Sequence, residues 1–124
     1  MARGRKQTVA IDFDGVIHAY SKGWHDGTIY DPPVDGALEA LERLHHRYKV
    51  VILTTRVNPD MPGGHAQEKR IIDWLEENGF REGEHFDEVT HAKPPAVVYI
   101  DDRALRFTSW DQALDEFGSR YRLP

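Results

Sequence analysis

The sequence lacks cysteine, and it has no long apolar segment among its 124 residues. Without cysteine the chain has no disulfide bonds, no thiolate nucleophile and no cysteine-ligated zinc. No apolar run approaches the roughly 18 residues that a membrane-spanning helix needs. Basic residues are outnumbered by acidic ones, giving a net charge of −5 at pH 7. This charge disfavours bulk electrostatic attraction to nucleic acid or to an anionic membrane.

Length and composition are those of one globular domain, 1–124, with 40% apolar and 30% charged residues. The first seven residues include basic side chains but no apolar stretch follows them, so a signal peptide is not expected. We expect 1–7 to be a flexible tail and the protein to be cytoplasmic, without a membrane partner.

Apolar periodicity predicts an α/β fold. Short β-branched runs alternate with segments whose apolar residues recur at helical spacing. We expect strands at 8–14, 49–54, 86–89 and 96–100, and helices at 35–48, 66–78 and 109–117. Asn78–Gly79 is a typical C-terminal signal for the second helix, and Ser109 and Gln112 have the spacing of a capping box at the start of the third. Near-continuous apolar strands are typical of a mainly parallel sheet that is covered on both faces. The pattern therefore predicts a doubly wound, three-layer α/β/α sandwich.

Acidic and hydroxyl side chains follow three of these strands. Asp12 and Asp14 end the first strand, Thr54 ends the second, and Asp101 and Asp102 end the last. In doubly wound sheets the carboxyl ends of the strands form the binding site. Carboxylates gathered there raise one another's pKa unless a cation binds them. Oxygen ligands of this kind suit Mg²⁺, so we expect Mg²⁺ as cofactor.

The order of these motifs resembles that of the haloacid dehalogenase-like hydrolases. The stretch 12–17, Asp-Phe-Asp-Gly-Val-Ile, resembles the family's first signature, DxDG(T/V). Thr54 after an apolar strand resembles the second motif, Lys93 the third, and the doublet Asp101–Asp102 the fourth. The resemblance extends over residues 8–103 and implies a Rossmann-like fold. The segments after the first and second motifs are too short for the large cap domain of many relatives, so we expect an open site.

The resemblance implies a Mg²⁺-dependent phosphatase that forms an aspartyl-phosphate. Asp12 is then the nucleophile, and Asp14 is the general acid to the leaving oxygen and later the base that activates water. Thr54 would hydrogen-bond the transferred phosphoryl group, and Lys93 would neutralise its charge. Family members that remove halogens lack an acid at the position of Asp14, so its presence favours phosphate esters.

The same resemblance implies a magnesium site. Its ligands would be Asp12, the backbone carbonyl of Asp14, and Asp101, with Asp102 either binding the metal directly or supporting a ligand. The partner is a phosphorylated substrate, either a small molecule or a nucleic-acid end. Oligomerisation is left open.

Residues next to these motifs are candidates for substrate binding, namely Gly15, His18, Thr55 and Arg56. Arg56 has two interpretations, a phosphate ligand or the partner of a structural carboxylate. Residues 16–33 are too long for a simple turn and predict a flap beside the site. On this flap, Trp24 either stacks on a ligand or belongs to a small satellite core.

Three alternative functions share parts of this pattern. A phosphoacceptor receiver domain is disfavoured, because receivers place the acidic pair first and a lone acceptor aspartate mid-chain. A polynucleotide end-processing enzyme resembling a 3′-phosphatase uses the same chemistry, and an open site favours it. A degenerate phosphate-binding module would keep the motifs without turnover.

Overall fold

A computed structural model of the chain describes residues 6–61 and 63–123. Most of the predicted tail 1–7 therefore lies outside the described residues. The strands are β1 (Thr8–Asp12), β2 (Lys49–Leu53), β3 (Glu88–Thr90) and β4 (Val98–Ile100). The helices are α1 (Ala37–His45), α2 (Gly64–Glu77) and α3 (Trp110–Arg120), and a 3₁₀ turn covers Thr55–Val57. All seven predicted elements are present, and their ends differ from the predicted ones by at most three residues.

The four strands form one parallel sheet in the order β3-β2-β1-β4. This confirms the α/β class and the parallel sheet. From β1 the chain moves towards one edge through β2 and β3, and then returns to the other side of β1 as β4. The strand order therefore reverses between β1 and β4, which is where doubly wound sheets bind ligands.

The hydrophobic core lies on one face of the sheet. Val9 and Ile11 of β1 stand in register beside Val50 and Ile52 of β2, and all four belong to the core cluster. The helices α1 and α2 cover this face with apolar side chains, namely Ala37, Leu41, Ile71, Trp74 and Leu75. Crossovers between parallel strands are almost always right-handed, and two that run in the same direction place both helices on the same side.

The end of α2 is fixed by the Asn78–Gly79 pair that the sequence singles out. Gly79 adopts φ of +89°, a left-handed conformation that glycine tolerates best. The amide of Phe80 then donates to the carbonyl of Leu75 at 2.8 Å. The Phe80 ring stacks on Trp74 with centroids 6.1 Å apart, completing the hydrophobic contact of a Schellman motif.

The other end of the chain packs differently. Every residue of β4 is exposed, and no side chain of α3 is buried. The start of α3 nevertheless has the predicted cap, because the Ser109 hydroxyl accepts from the Gln112 amide at 3.1 Å. None of the helices in the described residues is long and apolar enough to cross a membrane.

Truncation of Phe80 tests the core assignment. Phe80 is fully buried, so Phe80→Ala should lower the free energy of unfolding by about 3 to 5 kcal/mol. Met61→Ala removes an exposed apolar side chain and should change it by less than about 0.5 kcal/mol. Urea unfolding followed by circular dichroism measures both, and equal losses in the two variants would contradict this core.

Candidate functional site

An open cavity of about 1190 Å³ lies at the carboxyl ends of the strands, around the point where the strand order reverses. Its lining includes most of the predicted site residues, which are Asp12, Asp14, Thr54, Thr55, Lys93, Asp101 and Asp102. They come from the ends of β1, β2 and β4 and from the segment after β3. Residues separated by up to 90 positions are thus brought to one place.

Three carboxylates form a cluster at the centre of this edge. Asp12, Asp101 and Asp102 each offer an oxygen atom, and these atoms lie within 4.8 Å of one another. Burial, together with the negative charges of Asp101 and Asp102, raises the pKa of Asp12 from 3.8 to about 7. Asp12 is therefore costly to ionise here unless positive charge is supplied.

Gly15 allows Asp102 to approach the first motif. A Cβ atom at this position would collide with the carboxylate of Asp102. Gly15 also has φ of +85°, which side-chain-bearing residues rarely adopt. Glycine thus satisfies both the turn after β1 and the approach of Asp102. This is a different role from the predicted contact with substrate.

The cluster fits a hard divalent cation by the chemistry of its donors. All three side chains offer carboxylate oxygens, the ligands that Mg²⁺ prefers, and Asp12 is half-buried while the other two are exposed. A cation would also offset the repulsion that raises the pKa of Asp12. The side chain of Asp14 is not in the cluster, which leaves its backbone carbonyl as the predicted ligand.

A second group with metal-ligand residues, Glu42, Glu84 and His85, does not fit a metal. The Nδ1 atom of His85 accepts from the Arg81 amide at 3.0 Å. In the neutral ring the hydrogen is then on Nε2, the atom that faces Glu84 at 3.9 Å. A protonated nitrogen has no lone pair for a metal.

Asp14 is held by two side chains on opposite oxygens. His18 Nδ1 lies 2.9 Å from Oδ1, and Arg56 Nε donates to Oδ2 at 2.7 Å. Burial alone would raise the pKa of Asp14, but the hydrogen bonds from His18 and Arg56 outweigh it and the pKa falls below 3.8. The environment thus holds Asp14 as a carboxylate.

Arg56 lies behind Asp14 and is only 2% exposed. Its Nη1 atom donates to the carbonyl of Gly27 at 2.8 Å and to Gln67 at 3.1 Å. The ring of Trp24 lies 4.7 Å from the guanidinium carbon. Of the two interpretations of Arg56, the structure shows the structural carboxylate partner. Arg56 does not line the cavity.

His18, also predicted to contact substrate, is fully buried beside Asp14. Its Nε2 atom accepts from the amide of Asp31 at 3.1 Å. The hydrogen of the neutral ring is therefore on Nδ1 and is donated to Asp14. The rings of Phe13 and Trp74 pack against His18 at 5.6 and 5.7 Å. This geometry makes His18 an orienting group for Asp14.

The predicted flap 16–33 is anchored at several points. Gly27 accepts hydrogen bonds from Arg56 and from Gln67, the second at 2.9 Å. The indole of Trp74 donates to the carbonyl of Asp31 at 3.0 Å. Sequence reasoning did not identify Gln67 or Trp74 as supports of the site. Neither has a local signal, because both face the flap from α2, about 40 residues away.

Thr54 and Lys93 complete the cavity wall. The Thr54 hydroxyl accepts from the Arg56 amide at 3.2 Å, which leaves its hydrogen free to donate. Lys93 is exposed, and its ammonium lies 4.7 Å from the ring centroid of Tyr99. Among the described residues it forms no salt bridge. Both groups are therefore able to bind an anion in the cavity.

No family model, curated protein or solved structure matches this chain.

The raised pKa of Asp12 predicts how stability depends on pH when metal is removed. The folded state binds the Asp12 proton more tightly than the unfolded state, with pKa values of about 7 and 3.8. The stabilisation is therefore complete below pH 3.8 and is lost as pH rises to about 7. Urea midpoints in EDTA at about pH 5 and pH 8 should show this loss in the wild type and not in Asp12→Asn. An identical pH dependence in both proteins would contradict the shift.

Substitution of Gly15 tests its role in placing Asp102. Gly15→Ala and Gly83→Ala both put alanine at φ of +85°, but only the first introduces a clash, because Gly83 has open space around its Cβ position. Each should cost about 1 to 2 kcal/mol of stability from backbone strain. We expect Mg²⁺ to raise the melting temperature of the wild type and of Gly83→Ala. Gly15→Ala should lose this rise. Retention of that rise would show that Gly15 does not shape the cation site.

Proposed function

We propose that this protein is a Mg²⁺-dependent phosphomonoester hydrolase of the haloacid dehalogenase-like type, acting through an aspartyl-phosphate on Asp12. The observation that carries the proposal is the cluster of Asp12, Asp101 and Asp102 within 4.8 Å, in one cavity with Thr54 and Lys93. The reversal of strand order between β1 and β4 supports it. So does the match between this arrangement and the four motifs of the sequence.

In the first step, a carboxylate oxygen of Asp12 attacks phosphorus and the bond from phosphorus to the ester oxygen breaks. Asp12 is then phosphorylated, and the leaving alkoxide takes its proton from Asp14, in the acid role that the family resemblance implies. Lys93 and the Thr54 hydroxyl are placed to bind the phosphoryl oxygens, whose charge is spread in the transition state. Mg²⁺ held by Asp12, Asp101 and Asp102 would supply charge neutralisation during transfer.

In the second step, water attacks the phosphorus of the aspartyl-phosphate, releasing phosphate and restoring the Asp12 carboxylate. Asp14 is the proposed base for this water. Its hydrogen bonds from His18 and Arg56 hold it in the ionised form that a base requires. The family resemblance also implies that Asp14 is the acid of the first step, a role that needs the protonated carboxyl and that these two hydrogen bonds disfavour.

A three-layer sandwich is also part of this proposal. The described helices α1 and α2 cover one face of the sheet. A helix on the second face would complete the doubly wound fold.

A polynucleotide end is a second candidate substrate. The cavity is larger than one phosphate ester requires, and its lining adds two arginines and two tyrosines, namely Arg103, Arg106, Tyr20 and Tyr99. Basic and aromatic side chains together bind single-stranded nucleic acid by charge and by stacking. The net charge of −5 opposes this reading for the chain as a whole.

Hydrolysis of p-nitrophenyl phosphate tests the chemistry. Its leaving group departs without a proton donor, so the assay depends on Asp12 and the metal rather than on the acid role of Asp14. We expect activity that needs Mg²⁺ and that falls by about 10³-fold or more in Asp12→Asn. Asp35→Asn makes the same change at an exposed position outside the cavity and should leave the rate unchanged.

Two other outcomes are informative. Activity that survives Asp12→Asn would overturn the aspartyl-phosphate mechanism. If small esters fail while a 3′-phosphorylated oligonucleotide is hydrolysed with the same Mg²⁺ and Asp12 dependence, the polynucleotide reading replaces a small-molecule one. Failure of every ester, with phosphate still binding, would indicate a degenerate binding module.

A further inference from the structure

Large apolar side chains are exposed over the last quarter of the chain. The whole of 97–100, around and within β4, is exposed, with side chains at 38 to 49%. Six more exposed apolar residues lie in and around α3, namely Phe107, Trp110, Leu114, Phe117, Tyr121 and Leu123. We call these ten residues the C-terminal apolar surface. Folded monomers rarely leave so many large apolar groups together in water.

The α3 part of this surface is a single stripe. Trp110, Leu114 and Phe117 are spaced by four and three residues, so they lie along one face of the helix, and Tyr121 follows its last turn. This is the spacing with which one helix packs into another apolar surface. Within the described residues, the close aromatic contacts of the stripe are internal or to nearby Phe107, with Phe107 against Trp110 and Phe117 against Tyr121, each at 5.2 Å.

The strand part of the surface is a sheet edge. β4 pairs with β1 on one side, and its other edge has no strand partner in the described chain. An apolar edge strand without cover is a site for association with another chain. The stripe of α3 and the β4 edge are therefore two unpartnered surfaces of one chain.

We propose that two copies of this chain associate through the C-terminal apolar surface, with the stripe of α3 in each copy packed against β4 of the other. The contact is isologous, since each copy gives a helix and receives one. It would also place a helix beside the uncovered part of the sheet.

The available area is sufficient for a stable dimer. The five aromatic side chains have areas of about 150 to 250 Å² and the five aliphatic ones have less, so with about half of each exposed the ten residues present on the order of 900 Å². A standard interface buries about 800 Å² per partner.

Charge does not select the orientation of this contact. Asp111 and Asp115 lie beside the stripe on α3, whereas the cavity beside β4 is lined by acidic and basic side chains together, namely Asp12, Asp14, Asp101, Asp102, Lys93, Arg103 and Arg106. The apolar area is therefore what favours a second copy as the partner. Asp111 and Asp115 disfavour an anionic membrane as the occupant.

Molar mass in solution is the first test. Light scattering at about 100 µM should give twice the mass of one chain. Leu114→Glu should weaken association by about 30-fold or more, because it puts a charge into the apolar stripe. Ser119→Glu adds the same charge on the opposite side of α3 and should leave the dimer intact. A monomeric wild type, or a dimer insensitive to Leu114→Glu, would overturn the proposal.

The absence of cysteine allows the geometry to be tested directly. Leu114→Cys and Val98→Cys chains are mixed and treated with a short bismaleimide. We expect a cross-linked product containing one chain of each kind. If only Leu114→Cys chains are linked to one another, the two copies pack helix against helix, and the proposed packing of α3 on β4 is wrong. In the double variant, linkage within one chain would show that α3 folds back on its own sheet.

Val97, Val98, Tyr99 and Ile100 also line the cavity of the candidate site, so α3 of the other copy would lie against one wall of that cavity. The association itself does not require phosphatase activity. Asp12→Asn should form the same dimer as the wild type, so an inactive protein and a monomeric protein are separate results.

Discussion

The buried ion pair between Arg56 and Asp14 links the parts of the site. A guanidinium that is only 2% exposed must be paired, because removing one partner of a buried pair typically costs about 3 to 5 kcal/mol. Its other bonds, to Gly27 and Gln67, connect the flap and α2 to the end of β1. The backbone amide of the same residue bonds the Thr54 hydroxyl. One arginine thus fixes an acidic residue, a loop and a hydroxyl group at the sheet edge.

Two aspartates only two positions apart acquire opposite properties from their surroundings. Asp12 faces Asp101 and Asp102, and burial with like charge raises its pKa to about 7. Asp14 is also partly buried, but hydrogen bonds from His18 and Arg56 lower its pKa. Their positions in the sequence, with only one residue between them, explain neither pKa shift. The difference comes from which charges and hydrogen-bond donors the fold brings to each carboxylate.

Much of the fold and part of the site follow from local pattern. Apolar periodicity predicted all seven elements, and Asn78–Gly79 predicted the end of α2 because only a few residues accept the left-handed conformation there. Asp12, Thr54 and Asp101 were identified as neighbours because carboxyl ends of parallel strands share one edge of a sheet. The roles of His18 and Arg56 were less predictable. Whether a polar side chain faces a cavity or a buried carboxylate depends on packing, which no local spacing encodes.

By itself the sequence determined the α/β class, the strand ends that bear the acidic residues, and the absence of thiol chemistry, because each depends on residue type and periodicity. Only the tertiary structure decided that Gly15 makes room for Asp102, and that Gln67 and Trp74 hold the flap. It also decided that α3, which has an ordinary amphipathic pattern, leaves its apolar face exposed. An apolar stripe specifies that burial is favourable, whereas the partner is set by contacts between distant parts of the chain.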